Sequence, residues 1–385
     1  MKTISAILLS VLVTALPIAA QEREKLPNER LKSPLQIVAK FYDNMPTGVT
    51  VSDEGRIFVN FPRWGDEVPF TVAELKDGKP VPFPDAERNE ADTSAPEEHF
   101  LSVQSVVVGP KGRLWALDTG RIEWGETVKG GAKLVALDPQ SGEVVKNIVF
   151  DDSVVKTDSY LNDVRFDLTR GEEGMAFITD SSSTGRNAII VVDLATGDAQ
   201  RRLNAHPSTL AVPRFLPTVE GRPLMNRPAD GSPTHMSIGS DGIAIGPNGQ
   251  TLYYSSLSGR KLYSVGIDDL VGTLPDSQLG SRVIDLGDKG GAADGLESDT
   301  TGAVYLTNYE HNAIQRREAD GTIETLVHDP RVLWPDTLSL AADGYLYFTA
   351  NQLHRQPGFH GGQDLRETPY LLYRVKVDRQ PVRLK

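Results

Sequence analysis

The sequence predicts an all-β fold, a six-bladed β-propeller, and three observations carry this prediction. A pattern of a polar pair, a strand, a glycine turn and a second, apolar strand with aromatic residues recurs six times. The copies begin roughly 40 to 80 residues apart, a spacing that suits one four-stranded blade each. No long stretch has the 3.6-residue periodicity of an amphipathic helix.

Each copy is recognised by its second strand, which follows a turn that contains glycine. These second strands are predicted at 57–59, 114–116, 176–178, 252–254, 304–306 and 346–348. Most copies continue into a third strand, as at 133–138, and then into an outer strand, as at 144–150. The ring is predicted to close where 371–377 pairs with an N-terminal strand near 36–42, because such closure removes open sheet edges.

The N-terminus has the features of an export signal. Lys2 gives it a positive start, 4–18 is mostly apolar, and small residues end the run before a cleavage site preceding Gln21. The run is shorter than the ~20 apolar residues of a membrane span, and no later segment is long and apolar enough to cross a bilayer. We therefore expect an exported protein, periplasmic or secreted. The predicted signal peptide, N-terminal extension and single propeller domain occupy 1–20, 21–35 and 36–385.

Composition excludes several classes of function. The 385 residues include 52 acidic and 40 basic side chains, a formal net charge of −12, and no cysteine. The acidity argues against a nucleic-acid partner, because binding the phosphate backbone needs clustered Lys and Arg. The lack of cysteine excludes disulfides, thiolate zinc sites, iron–sulfur clusters and a cysteine nucleophile. No P-loop, dinucleotide fingerprint or G-x-S-x-G motif occurs, so no organic cofactor is predicted.

In a propeller blade, the start of the innermost strand lies on the same face as the loop between the second and third strands. That face is predicted to collect polar residues around the channel mouth: Thr47, Ser105, Asn162, Asp163, Asp241, Asp294 and Asp336. Each aspartate either fixes a turn by accepting backbone N–H groups or belongs to a cluster that favours a cation, a protonated member or a basic ligand. Oxygen ligands without cysteine suit Ca²⁺ or another divalent cation, with Asp163, Asp241 and Asp294 as the predicted ligands.

Two further features have two interpretations each. The rings of Trp64, Trp124 and Trp334 either line a pocket or fill the seams between blades. The segment 206–235, which contains six prolines, is either a lid over the channel or an elaboration of the loop between blades three and four.

Several motifs resemble those of the major royal jelly protein/Yellow family. They include the segments 112–120, 160–165, 178–181, 241–244, 257–260, 334–337 and 351–353, and the resemblance runs from about 36 to 377. It implies an exported six-bladed propeller whose channel, in some members, holds small amines or aromatic compounds. A few insect Yellow members are credited with dopachrome conversion. Insect members usually carry disulfides, so this cysteine-free chain is more similar to a bacterial branch.

A more distant resemblance is to the gluconolactonase/regucalcin propellers, which hold one divalent ion at the channel mouth. Their Glu-Gly, Asn-Gly and Asp-Gly pairs stand where this chain has 47–48, 241–242 and 294–295, and only the last pair matches. Asn162 and Asp163 resemble their substrate-contacting Asn-Asp pair. By this resemblance Asp294 is a metal ligand and the catalytic base.

The leading hypothesis is an exported propeller that binds a small organic ligand, an amine or an aromatic compound, at the acidic channel mouth. The predicted ligand-binding residues are Trp64, Asn162, Asp163, Asp241, Asn308, Trp334, Asp336 and Asn351. One alternative is a divalent-metal-dependent lactonase, and another is a protein-interaction platform that needs no channel chemistry. The fold alone does not separate these functions, and the sequence carries no prediction of oligomeric state.

Overall fold

Strands rich in β-branched and aromatic residues form six antiparallel sheets of four strands each in residues 33–385, the part of the chain that the computed structural model describes. In every sheet the strands are neighbours in chain order, except for the one sheet that joins the two ends of this range. The predicted six-bladed propeller is therefore confirmed. The predicted signal peptide lies outside the described residues.

The first three blades follow an opening strand, β1 (Gln36–Phe41). Blade one consists of β2 (Val49–Val51), β3 (Ile57–Asn60), β4 (Val72–Lys76) and β5 (Lys79–Pro82). Blade two consists of β6 (Val103–Val108), β7 (Leu114–Thr119), β8 (Ala132–Leu137) and β9 (Val144–Val149). Blade three consists of β10 (Leu161–Asp167), β11 (Met175–Asp180), β12 (Ala188–Asp193) and β13 (Ala199–Arg202).

A small hairpin, β14 (Thr218–Val219) and β15 (Arg222–Pro223), precedes the last three blades. Blade four consists of β16 (Ser240–Ile245), β17 (Thr251–Ser256), β18 (Lys261–Gly266) and β19 (Ile284–Asp288), with α1 (Ile267–Val271) and α2 (Asp276–Leu279) before its last strand. Blade five consists of β20 (Ala293–Ser298), β21 (Val304–Asn308), β22 (Ala313–Arg317) and β23 (Ile323–His328). Blade six contains β24 (Pro335–Leu340), β25 (Tyr345–Ala350) and β26 (Tyr370–Lys376).

The ring closes as predicted, because β1 supplies the outer strand of blade six. It pairs antiparallel with β26, with Gln36 opposite Arg374 and Phe41 opposite Tyr370. This pairing joins strands that lie more than 300 residues apart in the chain. The outer strand of blade six is thereby paired, as it is in the other five blades.

Two faces of the ring differ in their chemistry. The tight turns between the first and second strands lie on one face, and their glycines adopt positive φ, as at Gly112 (78°) and Gly249 (66°). On the opposite face, here called the loop face, the starts of the innermost strands lie next to the loops between second and third strands. Leu161, for example, pairs with Asp180. Both features agree with the sequence analysis.

The hydrophobic core consists of apolar layers between neighbouring sheets. Between blades two and three, for example, the ring of Trp115 stacks on Phe166 with centroids 4.9 Å apart. Among residues 33–385, no helix has the length and hydrophobicity of a membrane span.

The C-terminal residues cross the turn face and narrow the channel there. Pro381 forms a β-bridge with Asp299 of blade five, and the carbonyl of Leu384 accepts the backbone N–H of Leu168 in blade three at 2.9 Å. Between these contacts, Val382 and Arg383 line a cavity of about 50 Å³ inside the channel. The polar site on the loop face therefore lies at the other end of the channel.

Candidate functional site

A bulge at the start of five innermost strands places one polar side chain from each at the channel mouth. In blade four, for example, the register shifts between Ser240 and Ile243, and Asp241 lies in the shifted stretch. In each of blades two to six, one polar residue comes directly after the first residue of the innermost strand that pairs with the second strand. In blade order these residues are Gln104, Asn162, Asp241, Asp294 and Asp336. The acids are thus on blades four to six, and neutral amides are on blades two and three.

Close packing of neighbouring blades holds the bulges together. A side-chain carbon on Gly242 would lie 2.2 Å from the carbonyl oxygen of Asp294, and one on Gly295 would lie 2.5 Å from that of Asp336. Asp241 and Asp294 are therefore each followed by a glycine that lets the next blade approach, whereas Asp336 is followed by Thr337. The three carboxyl groups become neighbours although they lie more than 40 residues apart in the chain.

Asp241 and Asp294 form a carboxyl pair at this mouth. Both are buried, at 3% and 7% exposed. Burial is the largest cause that raises both pKa values, that of Asp294 to about 7. A hydrogen bond between the two carboxyl groups raises the pKa of Asp241 further and lowers that of Asp294. Both shifts favour a protonated carboxyl in this pair near neutral pH.

The indole of Trp334 orients Asp294. Its Nε1–H donates to Asp294 Oδ2 at 2.8 Å, a bond that favours the ionised carboxylate. Trp334 is fully buried and has a φ of 53°, and its ring stacks on Tyr309 at 4.1 Å and on His354 at 5.9 Å. A left-handed backbone at a bulky residue is uncommon. Here it places the indole between two other rings, directly beside the carboxyl pair.

Asp336 is the third acid of the mouth. Its Oδ2 accepts the amide of Asn351 at 2.7 Å, and its Oδ1 accepts the hydroxyl of Thr337 at 3.2 Å. Burial raises the pKa of Asp336 most, and the charges of Asp294 and Asp163 raise it further. Asn351 thus acts on the site by holding Asp336.

Asp163 lies near the same group but faces the interior of the channel as well. Burial raises its pKa, the guanidinium of Arg165 lowers it, and Glu297 raises it. Arg165 and Glu297 line the cavity at the turn face. Asp163 is therefore within electrostatic reach of the acids at the mouth and of Arg165 and Glu297 in the lower channel.

Lys289 is a buried positive charge within electrostatic reach of Asp241. Its side chain is fully buried, and its Nζ donates to the carbonyl of Gly259 at 2.7 Å. Burial lowers the pKa of Lys289 to about 7, while Asp241 is among the carboxyls that raise it. The amine therefore supplies only part of the counter-charge that three buried acids need.

An aromatic group lines the side of the mouth formed by blades one to three. The Tyr160 hydroxyl accepts the Trp64 indole N–H at 2.6 Å and donates to Gln104 Oε1 at 2.8 Å. Trp124, half exposed, stacks on Trp64 at 5.1 Å and on Tyr160 at 5.3 Å. The pKa of Tyr160 is raised mainly by burial, with contributions from Asp336 and Asp241, so this group is within electrostatic reach of the acids.

The two remaining predicted binding residues have structural partners. The amide of Asn162 donates to the Ser181 hydroxyl at 3.0 Å, and Ser181 in turn donates to Asp241 at 3.2 Å, so Asn162 belongs to the network of the mouth. Asn308 donates to the Gly290 carbonyl at 2.8 Å and to Gln315 at 3.0 Å. Both N–H groups of Asn308 are thus used within blade five.

The segment 206–235, here called the cover segment, crosses the loop face from blade three to blades five and six. The N–H of Thr218 donates to Glu310 at 3.0 Å, and Glu220 at the hairpin tip contacts His354 at 2.7 Å and Arg355 at 2.6 Å. Three buried apolar residues of the segment, and one directly after it, belong to the apolar cluster that contains Trp334. They are Phe215, Val219, Leu224 and Met236. The sequence left two interpretations of this segment, a lid over the channel or an elaboration of the loop between blades three and four. These contacts agree with a lid.

The predicted metal ligands lie among these carboxyl groups. Within residues 33–385, no group of three or more Asp, Glu, His or Cys side chains is arranged to hold a metal ion. The charge of Asp163 acts on Asp241 and Asp294, and that of Arg165 acts on Asp163. Binding of Ca²⁺ stays a prediction. The groups that the structure brings together are carboxyls, an indole and amides.

A family model described as Major royal jelly protein matches residues 101–381. The chain belongs to the major royal jelly protein family. Both the resemblance and the fold predicted from the sequence are therefore confirmed.

Curated relatives in this family match over part of their length. The Yellow-related salivary protein LJM17 of Lutzomyia longipalpis is 30% identical over 170 residues, which are 39% of this chain and 40% of that protein. Protein yellow of Drosophila melanogaster is 33% identical over 109 residues, which are 26% of this chain and 20% of that protein. The matched region thus spans less than half of either relative.

Solved structures with a similar fold include a gluconolactonase from Xanthomonas campestris and the calcium-binding protein regucalcin from Agrobacterium tumefaciens. The first covers 90% of this chain and 91% of its own, at 13% identity and a TM-score of 0.55. The second covers 92% of this chain and 99% of its own, at the same identity and TM-score. At this level of identity, the likeness concerns the fold alone.

Several residues of the mouth were absent from the predicted site. Gln104 could have been found, because it occupies the same place in the second repeat as Asp241 does in the fourth. Tyr160, Tyr309 and Glu220 had no such signal. They reach the mouth from loops whose course the repeat pattern does not determine.

Proposed function

We propose that this family member binds a small organic amine with an aromatic portion at the loop-face mouth of its channel. The observation that supports this most is the cluster of Asp241, Asp294 and Asp336, three buried carboxyls. Burial raises the pKa values of all three, and the charge of Asp294 raises those of Asp241 and Asp336 further. An ammonium group would relieve this repulsion, and it can donate up to three hydrogen bonds to carboxylates. Apolar rings beside the acids would hold the rest of the ligand.

The two halves of the mouth support one orientation of the ligand. Asp241, Asp294 and Asp336 lie on blades four to six, so the ammonium group belongs on that side. On the other side, the Gln104 carbonyl is occupied by the Tyr160 hydroxyl, which leaves the Gln104 amide N–H groups to donate. The stacked rings of Trp64 and Trp124 lie beside them. An aromatic ring fits that side by stacking.

Isothermal titration calorimetry with phenethylamine, in buffer containing a chelator, tests this function. Phenethyl alcohol has nearly the same shape without the charge and is the matched control ligand. Asp336→Asn is expected to weaken amine binding roughly 30-fold, since losing one partner of a buried charge pair costs about 2 kcal/mol or more. The exposed variant Asp151→Asn serves as the control protein. Equal affinity for the amine and the alcohol would contradict the proposal.

A metal-dependent lactonase is the second candidate, and the carboxyl pair is the observation that favours it. A carboxyl with a pKa of about 7, such as Asp294, is suited to general acid–base catalysis near neutral pH. Hydrolysis of a lactone, assayed with Ca²⁺ and with chelator, distinguishes this function from amine binding. Turnover that needs Ca²⁺ and is lost in Asp294→Asn would favour the lactonase.

We also propose that the protein is exported after cleavage before Gln21. The charged start and the apolar run that ends in Ala19-Ala20 support this. The intact mass of protein recovered from outside the cytoplasm tests it. A mass beginning at Met1 would contradict cleavage.

A further inference from the structure

Both ends of the channel are covered by the chain itself. On the turn face, Val382 and Arg383 lie across the lower channel and are held by the bridge from Pro381 to Asp299. On the loop face, Phe215, Val219 and Leu224 of the cover segment pack in the apolar cluster that contains Trp334, whose indole N–H binds Asp294. Asp241 and Asp294 are accordingly almost inaccessible, at 3% and 7% exposed. A molecule that binds to them must therefore displace one of the two coverings.

The contacts of the cover segment are of a kind that can open. At its tip, Glu220 binds Arg355 through both carboxylate oxygens, at 2.9 and 2.6 Å, but the Glu220 side chain is 35% exposed and water competes for it. Farther along, Arg227 exchanges backbone hydrogen bonds with Gly358 and Gly361, at 2.7 and 2.8 Å. These contacts join a loop to a loop and not to a sheet, so they are expected to open at lower free energy than the blades.

Space for the movement lies beside the hairpin tip. A cleft of about 900 Å³ borders Glu220 and Gly221 on one side, and His311 and Gln315 of blade five on the other. Gly221 has a φ of 74° and forms the turn together with Glu220, whose φ is 49°. The tip can therefore move off Arg355 into open space without first unfolding a blade.

We propose that the cover segment is a gate, held shut by Glu220, through which a ligand reaches the carboxyl pair. Opening separates Glu220 from His354 and Arg355 and uncovers the ring stack in which Trp334 lies. The turn face stays closed, because its contacts are a β-bridge next to the innermost strand of blade five and the burial of Leu384 in the core between blades three and four. The ligand part of this inference rests on the proposed function, whereas the movement itself does not.

A disulfide across the gate tests the inference, because the chain has no cysteine of its own. A side-chain carbon on Gly362, whose φ is 87°, would lie 2.9 Å from the Cβ of Ala229 in the cover segment, so a bridge can form once the two loops move slightly apart. The double variant Ala229→Cys with Gly362→Cys is compared in its oxidised and reduced forms. The reduced form is the matched control, since the two differ only in the bond.

Two rates are measured: the solvent exchange of the Trp334 indole hydrogen by NMR, and the association of phenethylamine by stopped flow. We expect both to be at least about tenfold slower in the oxidised form and restored by a reductant. Equal rates in the two forms would overturn the gate. If no amine binds but indole exchange still slows, the gate stands and the proposed ligand is wrong.

A variant without a crosslink keeps the inference testable if the double variant does not fold. Glu220→Ala removes the contacts to His354 and Arg355, and it should speed indole exchange. Glu173→Ala is its control, because Glu173 is an exposed acid whose ion pair with Lys146 lies away from the loop face. Unchanged exchange in a folded Glu220→Ala protein would also overturn the gate.

Discussion

Replacing Asp294 by asparagine tests whether the carboxyl cluster keeps a proton in the folded protein. Asparagine has nearly the same shape, and its carbonyl oxygen can still accept the Trp334 indole N–H that now bonds at 2.8 Å. It cannot ionise, however. Burial raises the pKa of Asp294 from 3.8 to about 7. Between these two pH values, the wild-type carboxyl is protonated in the folded state and ionised in the unfolded chain.

The sign of the effect follows from which state binds more protons. Between about pH 4 and pH 7, the folded wild type holds a proton that the unfolded chain has released, so its free energy of unfolding falls as the pH rises. From pH 5 to pH 8 this loss amounts to about 2–3 kcal/mol, since each pKa unit corresponds to about 1.4 kcal/mol. It is an upper value, because Asp241 shares the proton. Asp294→Asn lacks this contribution.

Urea unfolding at pH 5 and pH 8, followed by tryptophan fluorescence, measures the difference. From pH 5 to pH 8, the difference in unfolding free energy between Asp294→Asn and wild type should shift by about 2–3 kcal/mol in favour of the variant. Asp151→Asn is the control: hydrogen bonds from Ser153 hold the pKa of Asp151 below its usual value, so it is ionised at both pH values. A difference between Asp294→Asn and wild type that does not change with pH would refute this reasoning.

Two substitutions test the packing within and between the blades. Gly242→Ala should destabilise the protein by at least about 1–3 kcal/mol, because its new carbon would lie 2.2 Å from the Asp294 carbonyl oxygen. The control is Gly358→Ala, whose new carbon would meet no atom within 4 Å. Equal urea unfolding midpoints for the two variants would contradict the close approach. Lys133→Met should lower the free energy of unfolding in urea by about 3–5 kcal/mol, since it leaves Asp118 buried without the ammonium group that now lies 2.8 Å away. A decrease below about 1 kcal/mol would contradict this.

The fold could be predicted from the sequence because the repeat is local. A blade needs only a short alternating strand and a glycine turn, and both are visible in each copy, as at 112–116 and 249–254. Closure of the ring by β1 and β26 followed from the need to pair both strand edges. Repeats also placed the aspartates on one face, because equivalent positions in equivalent blades meet at the axis.

The electrostatics of the site could not be predicted in the same way. That Asp241 and Asp294 share a proton depends on a bulge and on a close approach between blades, and neither leaves a periodic signal. The His354 ring stacks on Trp334 and contacts Glu220 across 134 positions of the chain, and no sequence pattern marks either contact. Contacts between long loops depend on tertiary packing and not on local pattern.

Proton release on ligand binding is the most direct test of the buried, protonated cluster as an amine site. Calorimetry of phenethylamine binding at pH 6, in two buffers with different ionisation enthalpies, counts the protons exchanged. Because an ammonium group favours the ionised form of Asp294 and its neighbours, we expect about one proton to be released for each amine bound. Binding with no proton released would contradict the account.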